Sequence, residues 1–335
     1  MKTLHLLATS ALLCAATLPA PAQAQEFYKG KTVNFFIGSA PGGGYDTYSR
    51  LIANHIGRHL PGKPTLVAQN MPGAGSIRAA NHLYNVAPKD GTAIGMVDQA
   101  LYLNQILGTP ELKADARKYN WIGRILSNSA VLFSWHTAEV KTAEDAFKHE
   151  LIISTTGAAS KLNWTVMNSV LGTKFRIISG YSGSNESRLA MERREVDALS
   201  MPWSLLKNDG AEWLATKKIN LLLQTGADKH PELSNVPRMI DLAKTDADRQ
   251  LMELFSSPST IGRSVVAPPG MPAERVAELR KGFMATIQDP LLLADVARAK
   301  LELDPLSGEE LQKAISGAAD FPEALIVRAR AAAKE

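Results

Sequence analysis

The clearest potential for chemistry lies in residues 42–44, three consecutive glycines near the start of the chain. The apolar run from Thr32 to Ile37 predicts a buried strand before them, and apolar residues after Asp46 recur at helical spacing. A glycine loop in this place turns backbone N–H groups outward without steric conflict, and the helix adds unpaired N–H groups and a positive dipole end. The stretch therefore predicts a site for a small anion, although a strand-to-helix turn that binds nothing has the same pattern.

Loops of similar composition follow other predicted strands. Residues 70–76, 155–160 and 179–186 each lie between an apolar run and a segment with helical periodicity, and Asp98 and Gln99 follow a further strand. Strands that alternate with helices predict parallel sheets. Because the carboxyl ends of parallel strands meet at one edge of a sheet, we expect the loops of each half of the chain to converge on a ligand.

The chain predicts two domains with crossing segments between them. Residues 121–135 are extended and apolar, as in strands that pass into a second domain, and residues 264–267 form a strand on the return path. The last helix is predicted to begin at Ser307, because Ser307 and Glu310 have capping-box spacing. The hinge is expected near residues 121–127 and 256–266. The predicted division is lobe 1 at residues 25–123 and 257–335, and lobe 2 at residues 124–256.

The N-terminus predicts a cleaved signal peptide, residues 1–24. Lys2 precedes an apolar segment, and Ala22 and Ala24 form a small-residue cleavage site. The apolar segment is too short to span a membrane. The sole cysteine, Cys14, lies inside it, and Leu13 before Cys14 argues against a lipid anchor. We therefore expect a periplasmic protein without disulfides or thiol chemistry.

The length and the net charge of the chain further limit its expected domain count and binding partners. Without residues 1–24 the chain keeps 37 − 1 = 36 basic and 33 acidic residues, a net charge of +3. These charges are spread along the chain with no basic block, which argues against a nucleic-acid partner. The remaining length, about 310 residues, is typical of two domains.

Several motifs occur in the order found in one known family. They are Tyr28-Lys29-Gly30-Lys31, Ala40-Pro41-Gly42-Gly43-Gly44-Tyr45-Asp46, Asn70-Met71-Pro72-Gly73-Ala74-Gly75, Ala87-Pro88-Lys89-Asp90-Gly91-Thr92 and Ala267-Pro268-Pro269-Gly270-Met271-Pro272-Ala273-Glu274. In these motifs the chain resembles the extracytoplasmic solute receptors of tripartite tricarboxylate transporters, the Bug family, over essentially the whole mature chain. The resemblance implies an α/β fold of the type II periplasmic binding protein kind, with two parallel-sheet lobes, a hinge and a ligand cleft.

The resemblance also implies a function and partners. The protein would capture a small organic carboxylate and deliver it to the two membrane subunits of a transporter, as a monomer without catalysis, cofactor or metal. The family's first ligand loop is matched by Pro41, Gly42, Gly43 and Asp46, and a support loop by Gly73, Gly75 and Ser76. A loop of the second lobe is matched by Thr156, Gly157, Ala158 and Ser160, and a Tyr-x-Gly loop by Tyr181, Gly183 and Ser184. Ser182 stands where a lysine is common, which makes a highly charged ligand less expected.

Neighbouring residues complete the predicted ligand-binding set. It consists of Ser39, Ala40, Pro41, Gly42, Gly43, Tyr45, Asp46, Gly75, Ser76, Asp98, Gln99, Thr155, Thr156, Gly157, Ala158, Ser160, Tyr181, Ser182, Gly183 and Trp203. Trp164, Tyr181 and Trp203 could wall the pocket, which would favour a ligand with an apolar or aromatic body, or could pack in the core.

Other side chains leave alternatives open. Arg50 and Arg78 lie one turn into their predicted helices, where each could reach back to the ligand or be solvated. Asp46 could cap the helix and fix the loop, or pair with an ammonium group of the ligand. His55 and His59 have the spacing of a zinc pair, but no Glu lies between them, and a metal site is not expected.

The alternative function is a secreted or periplasmic α/β enzyme that acts on a small anionic substrate. Gly73 and Gly75 after a strand are typical of a dinucleotide site, but Arg78 fills the third glycine position and no acidic residue follows at the expected distance. Ser182 follows a strand without the spacing of a nucleophile elbow. A sensory domain of the same fold is a second alternative, but nothing follows the last predicted helix to transmit a signal.

Overall fold

The computed structural model describes residues 27–155, 158–181, 184–317 and 321–334. The predicted signal peptide, residues 1–24, lies outside the described residues. The described chain forms two lobes, each built on one sheet with apolar clusters packed against it. None of the helices in these ranges is both long enough and apolar enough to cross a membrane.

The elements alternate along the chain as the sequence pattern predicts. The strands are β1 (Thr32–Ile37), β2 (Thr65–Asn70), β3 (Ala93–Met96), β4 (Asn120–Leu126), β5 (Ala130–Trp135), β6 (Leu151–Thr155), β7 (Phe175–Ser179), β8 (Ala198–Pro202), β9 (Ile219–Gln224), β10 (Arg263–Ala267) and β11 (Leu306–Ser307). The helices are α1 (Gly44–Ile56), α2 (Ile77–Asn85), α3 (Leu101–Leu107), α4 (Ala158–Val166), α5 (Ser184–Glu192), α6 (Trp203–Asp209), α7 (Ala211–Ala215), α8 (Asp246–Ser256), α9 (Pro258–Ile261), α10 (Ala273–Ile287), α11 (Pro290–Arg298), α12 (Gly308–Gly317) and α13 (Glu323–Ala332).

The sheet of the first lobe has the strand order β11-β4-β10-β3-β1-β2. Strand β1 pairs in parallel with β2 and β3, so the carboxyl ends of these three strands lie at one edge. Strand β10 runs antiparallel to both β3 and β4, and β11 runs antiparallel to β4. The sheet is therefore mixed rather than wholly parallel, because β10 returns from the second lobe and enters the sheet from the edge at which β4 leaves it.

The sheet of the second lobe has the order β7-β6-β8-β5-β9. Strand β6 pairs in parallel with β7 and β8, whereas β5 runs antiparallel to β8 and β9. As in the first lobe, the loops that follow the parallel strands share one edge of the sheet.

Apolar patterning explains the first strand and helix. In β1, Phe35 and Ile37 are fully buried and Phe36 nearly so, as expected of a central strand that is covered on both faces. In α1 the residues Tyr48 and Ile52, four apart, are buried on one side of the helix against the first-lobe core. This burial anchors α1 along the sheet and fixes its N-terminus at the carboxyl end of β1.

Two adjacent segments cross between the lobes. The first, residues 127–129, joins β4 to β5, which confirms two strands within the extended stretch at residues 121–135. The second runs through α9 and Gly262 into β10. Gly262 has φ +52°, and a Cβ atom there would lie 2.1 Å from the carbonyl oxygen of Leu126, so glycine is required where the two crossings touch. Whether this pair acts as the hinge stays a prediction.

The C-terminal region differs from the sequence-based prediction. The capping box at α12 is confirmed, because Glu310 Oε2 accepts from the backbone N–H of Ser307 at 2.9 Å and Ser307 Oγ accepts from the N–H of Glu310 at 3.2 Å. The prediction that this helix is the last is wrong, because α13 follows it. Leu325 and Ala329 of α13 lie in the main core of the second lobe. The predicted lobe boundaries stay a prediction.

Candidate functional site

The first glycine loop, residues 38–43, connects the end of β1 to the first turn of α1. Its members from Ala40 to Gly43 are exposed, and a Cβ atom placed on Gly42 or Gly43 would meet no atom within 4 Å. Gly43 is the N-cap residue of α1 and no side chain caps the helix. The N–H groups of the first turn therefore have no partner within the helix. They border open space at the positive end of the helix dipole. This arrangement can bind an anion.

Asp46 holds this loop in place. Its Oδ2 accepts from the N–H of Gly42 at 3.0 Å, and its Oδ1 accepts from Arg50 Nε at 2.9 Å and from Asn70 Nδ2 at 2.8 Å. The same Asn70 amide donates to the carbonyl of Ser39 at 3.0 Å. Both carboxylate oxygens thus have donors within the protein, and Arg50 reaches back to Asp46 rather than lying free in solvent.

The environment of Asp46 favours its ionised form. Burial raises the pKa of this carboxyl, which is 6% exposed, but hydrogen bonds from Arg50, the Gly42 N–H and Asn70 outweigh burial and leave the pKa below its usual value. The negative charge of Asp46 is compensated by Arg50 beside it, so it repels an incoming anion little.

The second glycine loop, residues 70–76, packs against the first. Ala74, Gly75 and Ser76 have φ values of 46°, 60° and 78°, three successive left-handed residues of which only one is glycine. Ser76 is 4% exposed, and its Oγ has no hydrogen-bond partner within the described residues. A Cβ atom on Gly38 would lie 1.7 Å from that Oγ, so glycine at position 38 permits the close approach. Gly75 itself is exposed to open space.

The segment after β3 is joined to the first loop through Tyr45. The hydroxyl of Tyr45 accepts from the N–H of Gln99 at 3.0 Å, and Asp98 Oδ1 accepts from the N–H of Ala100 at 2.8 Å. Burial raises the pKa of Asp98 although Ala100, Tyr45 and Arg263 favour its charged form. Burial and the Asp98 carboxylate hold the pKa of Tyr45 well above its usual value, so the phenol stays neutral. The structure therefore brings the predicted residues of the first lobe together.

The second lobe presents hydroxyl groups at the matching edge of its sheet. Thr155 Oγ1 and Ser179 Oγ lie 3.1 Å apart, and Ser160 Oγ and Ser200 Oγ lie 3.2 Å apart. Thr155 and Ser179 end β6 and β7, Ser160 lies in the first turn of α4, and Ser200 is the middle residue of β8. The predicted site residues Thr156, Gly157, Ser182 and Gly183 lie outside the described residues, and Ala158 is described only as the start of α4.

The three candidate aromatic residues differ in their surroundings. Trp164 is fully buried, with its ring centroid 5.8 Å from that of Phe175, and is therefore a core residue. Tyr181 is half-buried against an apolar cluster that also contains Trp203. Trp203 Nε1 donates to Glu232 Oε2 at 2.6 Å. That Tyr181 and Trp203 wall the ligand pocket stays a prediction.

A cavity of about 600 Å³ lies between the lobes beside the crossing segments. Of the predicted ligand-binding residues, Trp203 lines this cavity. The residues that line it include none from the two glycine loops. Charged groups around it are largely paired with one another: Arg124 with Asp304 at 2.9 Å, and Lys207 with Glu302 at 2.6 Å. Because the unpaired donors lie at the glycine loops instead, we place the candidate ligand site there and not in this cavity.

The two histidines with zinc-like spacing pair with separate carboxylates. His55 Nε2 lies 2.8 Å from Asp295 Oδ2, and His59 Nε2 lies 2.8 Å from Asp289 Oδ2. Within the described ranges no group of three or more His, Cys, Asp or Glu side chains is placed to hold a metal ion.

One charged residue behind the first loop escapes prediction from the sequence pattern. Arg263, the first residue of β10, is 5% exposed, and its guanidinium carbon lies 4.8 Å from the ring centroid of Tyr48 and 5.8 Å from that of Tyr45. A Cβ atom on Gly44 would lie 2.6 Å from Arg263 Nη2. The signal that could have found it is a lone arginine at the start of an apolar, buried strand, a position that charged residues seldom occupy without a partner.

Comparisons with known proteins identify the fold. Neither protein-family models nor curated proteins match the chain. Among solved structures, a TctC solute-binding protein from Polaromonas without ligand is 18% identical, with 89% of this chain and 98% of that chain covered and a TM-score of 0.64. The periplasmic binding protein BugD is 19% identical, with 90% and 97% covered and a TM-score of 0.62. MatC from Rhodopseudomonas palustris with bound malate is 17% identical, with 88% and 98% covered and a TM-score of 0.60. The chain has the fold of these binding proteins over nearly all of its length.

Proposed function

We propose that this chain, with a fold shared with solute-binding proteins, is an extracytoplasmic receptor that captures a small organic carboxylate between its two lobes. The observation that carries the proposal is the first glycine loop, where the uncapped N-terminus of α1 adjoins open space. A hydrogen bond from the Gly42 N–H to Asp46 and one from Asn70 to the carbonyl of Ser39 hold the loop ready before any ligand arrives. A preorganised site loses less entropy on binding and so binds more tightly.

The chemistry of the loop favours an anion with a carboxylate. A charge-assisted hydrogen bond contributes about 1.5–3 kcal/mol, so three or four such bonds to backbone N–H groups suffice for roughly micromolar binding after entropy losses. The hydroxyls of Thr155 and Ser160 in the second lobe can donate to the other end of the ligand. MatC, which shares the fold, was solved with malate, a compound of this class.

We propose binding without catalysis. Four described hydroxyl groups of the candidate site in the second lobe pair with one another, Thr155 with Ser179 and Ser160 with Ser200. A serine nucleophile needs an adjacent general base such as histidine, and these pairs provide none.

The predicted signal peptide supports a periplasmic location after export and cleavage following Ala24. There the receptor would act as a monomer and hand its ligand to the two membrane subunits of a tripartite transporter. Detection of the intact chain with residues 1–24 in the cytoplasm would overturn the location.

Paired ligands test the ligand class directly. The melting temperature of the purified protein is measured with two acid–amide pairs, succinate with succinamide and benzoate with benzamide. It is also measured with L-malate, citrate, glucose and divalent metal ions. A ligand of the folded state raises the melting temperature by mass action, so we expect at least one acid to raise it and its neutral amide not to. Stabilisation by glucose or metal ions alone would overturn the proposal.

A further inference from the structure

We propose that Arg263 is a ligand-binding residue, a charged anchor for the carboxylate that docks at the N-terminus of α1. The inference rests on the proposed function and adds to it the side chain that selects for negative charge. It does not follow from the glycine loops, because Arg263 lies 219 residues beyond Gly44 in the chain and reaches the loop from β10.

The hydrogen-bonding state of Arg263 sets it apart from the other buried arginines. Arg124 donates to Asp304 Oδ2 at 2.9 Å and to the carbonyl of Thr260 at 2.8 Å. Arg275 donates to Glu274 Oε1 at 2.8 Å and also pairs with Glu278. In Arg263, both Nε and Nη1 are buried and have no hydrogen-bond partner within the described residues. A buried cation without acceptors is destabilising, so the site is incomplete without an anion.

The groups around Arg263 hold the guanidinium but leave its donors free. The rings of Tyr45 and Tyr48 lie within cation–π distance. The carboxylate of Asp98 acts on Arg263 through its charge, but its Oδ1 accepts from the N–H of Ala100. Because Nε and Nη1 of Arg263 have no acceptor within the described residues, Asp98 is a partial counter-charge for Arg263 and not a hydrogen-bond acceptor for these two atoms. The positive end of the α1 dipole adjoins the same guanidinium. Two positive features therefore lie side by side, and within the described structure Asp98 balances their charge only in part.

The third glycine of the run explains how the arginine reaches the site. Because Gly44 has no side chain, Arg263 Nη2 can lie against the first residue of α1, where a Cβ atom would be only 2.6 Å away. Gly43 next to it borders open space. A carboxylate that accepts from the first-turn N–H groups therefore has a guanidinium beside the same turn, and both features favour negative charge.

The rival role for Arg263 is purely structural, a cation stacked on two tyrosines. Arg263→Gln separates the two roles because it removes the charge and retains a polar side chain. Arg275→Gln is the matched control: Arg275 is equally buried and its guanidinium carbon lies 4.7 Å from the ring centroid of Phe27, but it has carboxylate partners and lies on α10.

Titration calorimetry with succinate, benzoate and L-malate, each beside its neutral amide, tests the inference. We expect Arg263→Gln to bind the acid that wild type prefers roughly 10- to 100-fold more weakly, the effect of one charge-assisted bond. It should also lose much of the discrimination between acid and amide. Its ligand-free melting temperature should equal or exceed that of wild type, whereas Arg275→Gln should melt at a lower temperature and bind normally.

Gly44→Ala provides a second route that keeps the charge. The added methyl group displaces Nη2 from α1, while alanine favours the helix more than glycine does. We expect a folded protein with weaker acid binding. Arg263 is structural if Arg263→Gln and Gly44→Ala both bind acids within twofold of wild type, or if Arg263→Gln melts lower while its acid affinity is unchanged. In either case the inference about Arg263 fails and the proposed function stands. If wild type binds none of the acids, the proposed function fails as well.

Discussion

Lys207 of the second lobe and Glu302 of the first lie 2.6 Å apart, measured from Nζ to Oε1. Lys207 also contacts Glu232 at 2.8 Å, and Glu232 accepts from Trp203 Nε1. Nearby, Asn208 Nδ2 donates to the carbonyl of Lys300 at 3.2 Å. These contacts join the lobes outside the crossing segments, so the angle between the lobes depends on side-chain pairs as well as on the chain itself.

The first prediction concerns this ion pair. Glu302→Gln should shift the ligand-free protein toward a more open arrangement, because one attraction between the lobes is lost. The effect on the free energy of unfolding should be small, about 0.5 kcal/mol, since both side chains are roughly one-third exposed. Small-angle X-ray scattering should give a larger radius of gyration. Glu212→Gln is the control, because Glu212 pairs with Lys218 inside the second lobe at 3.0 Å; an equal change in both variants would contradict the prediction.

The second prediction concerns pH and Asp46. The folded-state pKa of Asp46 is lowered, so its contribution to stability is present above the unfolded pKa near 4 and is lost as the pH falls through the folded pKa. Asp46→Asn should destabilise the protein by about 1–3 kcal/mol at pH 7, and the difference from wild type should shrink at pH 3. Urea unfolding at the two pH values measures this.

A matched variant for Asp46 lies in the second lobe. Asp241, whose pKa is lowered by its hydrogen bonds to Arg238 although burial opposes them, can be changed to Asn. Both variants should lose stability, but only Asp46→Asn should lose carboxylate binding, because only Asp46 holds the first glycine loop. Normal binding by Asp46→Asn would show that the loop does not need this clamp.

The third prediction compares two neighbouring glycines. Gly43 has φ −86°, which any residue adopts, and open space around it, so Gly43→Val should fold and melt like wild type but bind no carboxylate. Gly42 has φ +86°, so Gly42→Val should also lose about 1–2 kcal/mol of stability through backbone strain. Circular dichroism and calorimetry distinguish the two effects. Undiminished binding by Gly43→Val would remove the first loop from the ligand site.

The fourth prediction tests the second lobe. Ala158 begins α4, and Ala158→Asp places a carboxylate at a helix N-terminus, which tolerates negative charge. The variant should fold, but its charge should repel the ligand carboxylate and abolish binding if the ligand is clamped between lobes. Ala158→Asn is the neutral control of the same shape and should bind far better. Equal binding by both variants would show that this lobe does not face the ligand, as the clamp requires.

Local patterns in the sequence suffice to predict the elements around the first loop. Strand β1, the glycine loop and α1 depend on residues close in the chain, and so does the capping box of Ser307 and Glu310. Such features are encoded by periodicity and glycine placement. The binding roles of the twenty predicted ligand residues stay predictions, because what the structure describes is their placement and hydrogen bonds and not a ligand.

Contacts between distant segments could not be predicted from those patterns. Arg263 reaches Gly44 across the sheet, and the antiparallel direction of β10 follows from the path of the whole chain. Arg50, although 45% exposed, pairs with Asp46 and Asn70 because β2 ends beside the first loop. The pattern does not predict helix α13, because its buried positions, Leu325 and Ala329 among them, are partly small residues that give a weak apolar periodicity.

The place of α13 has a consequence for the order in which the chain can fold. The core of the second lobe joins Leu132 and Trp164 to Leu325 and Ala329, residues that lie far apart in the sequence. This core cannot be completed before Leu325 and Ala329 are available, and contacts between such distant parts of a chain form slowly. If the chain is exported as proposed, slow completion of this core keeps the second lobe unfolded for longer before the chain crosses the membrane.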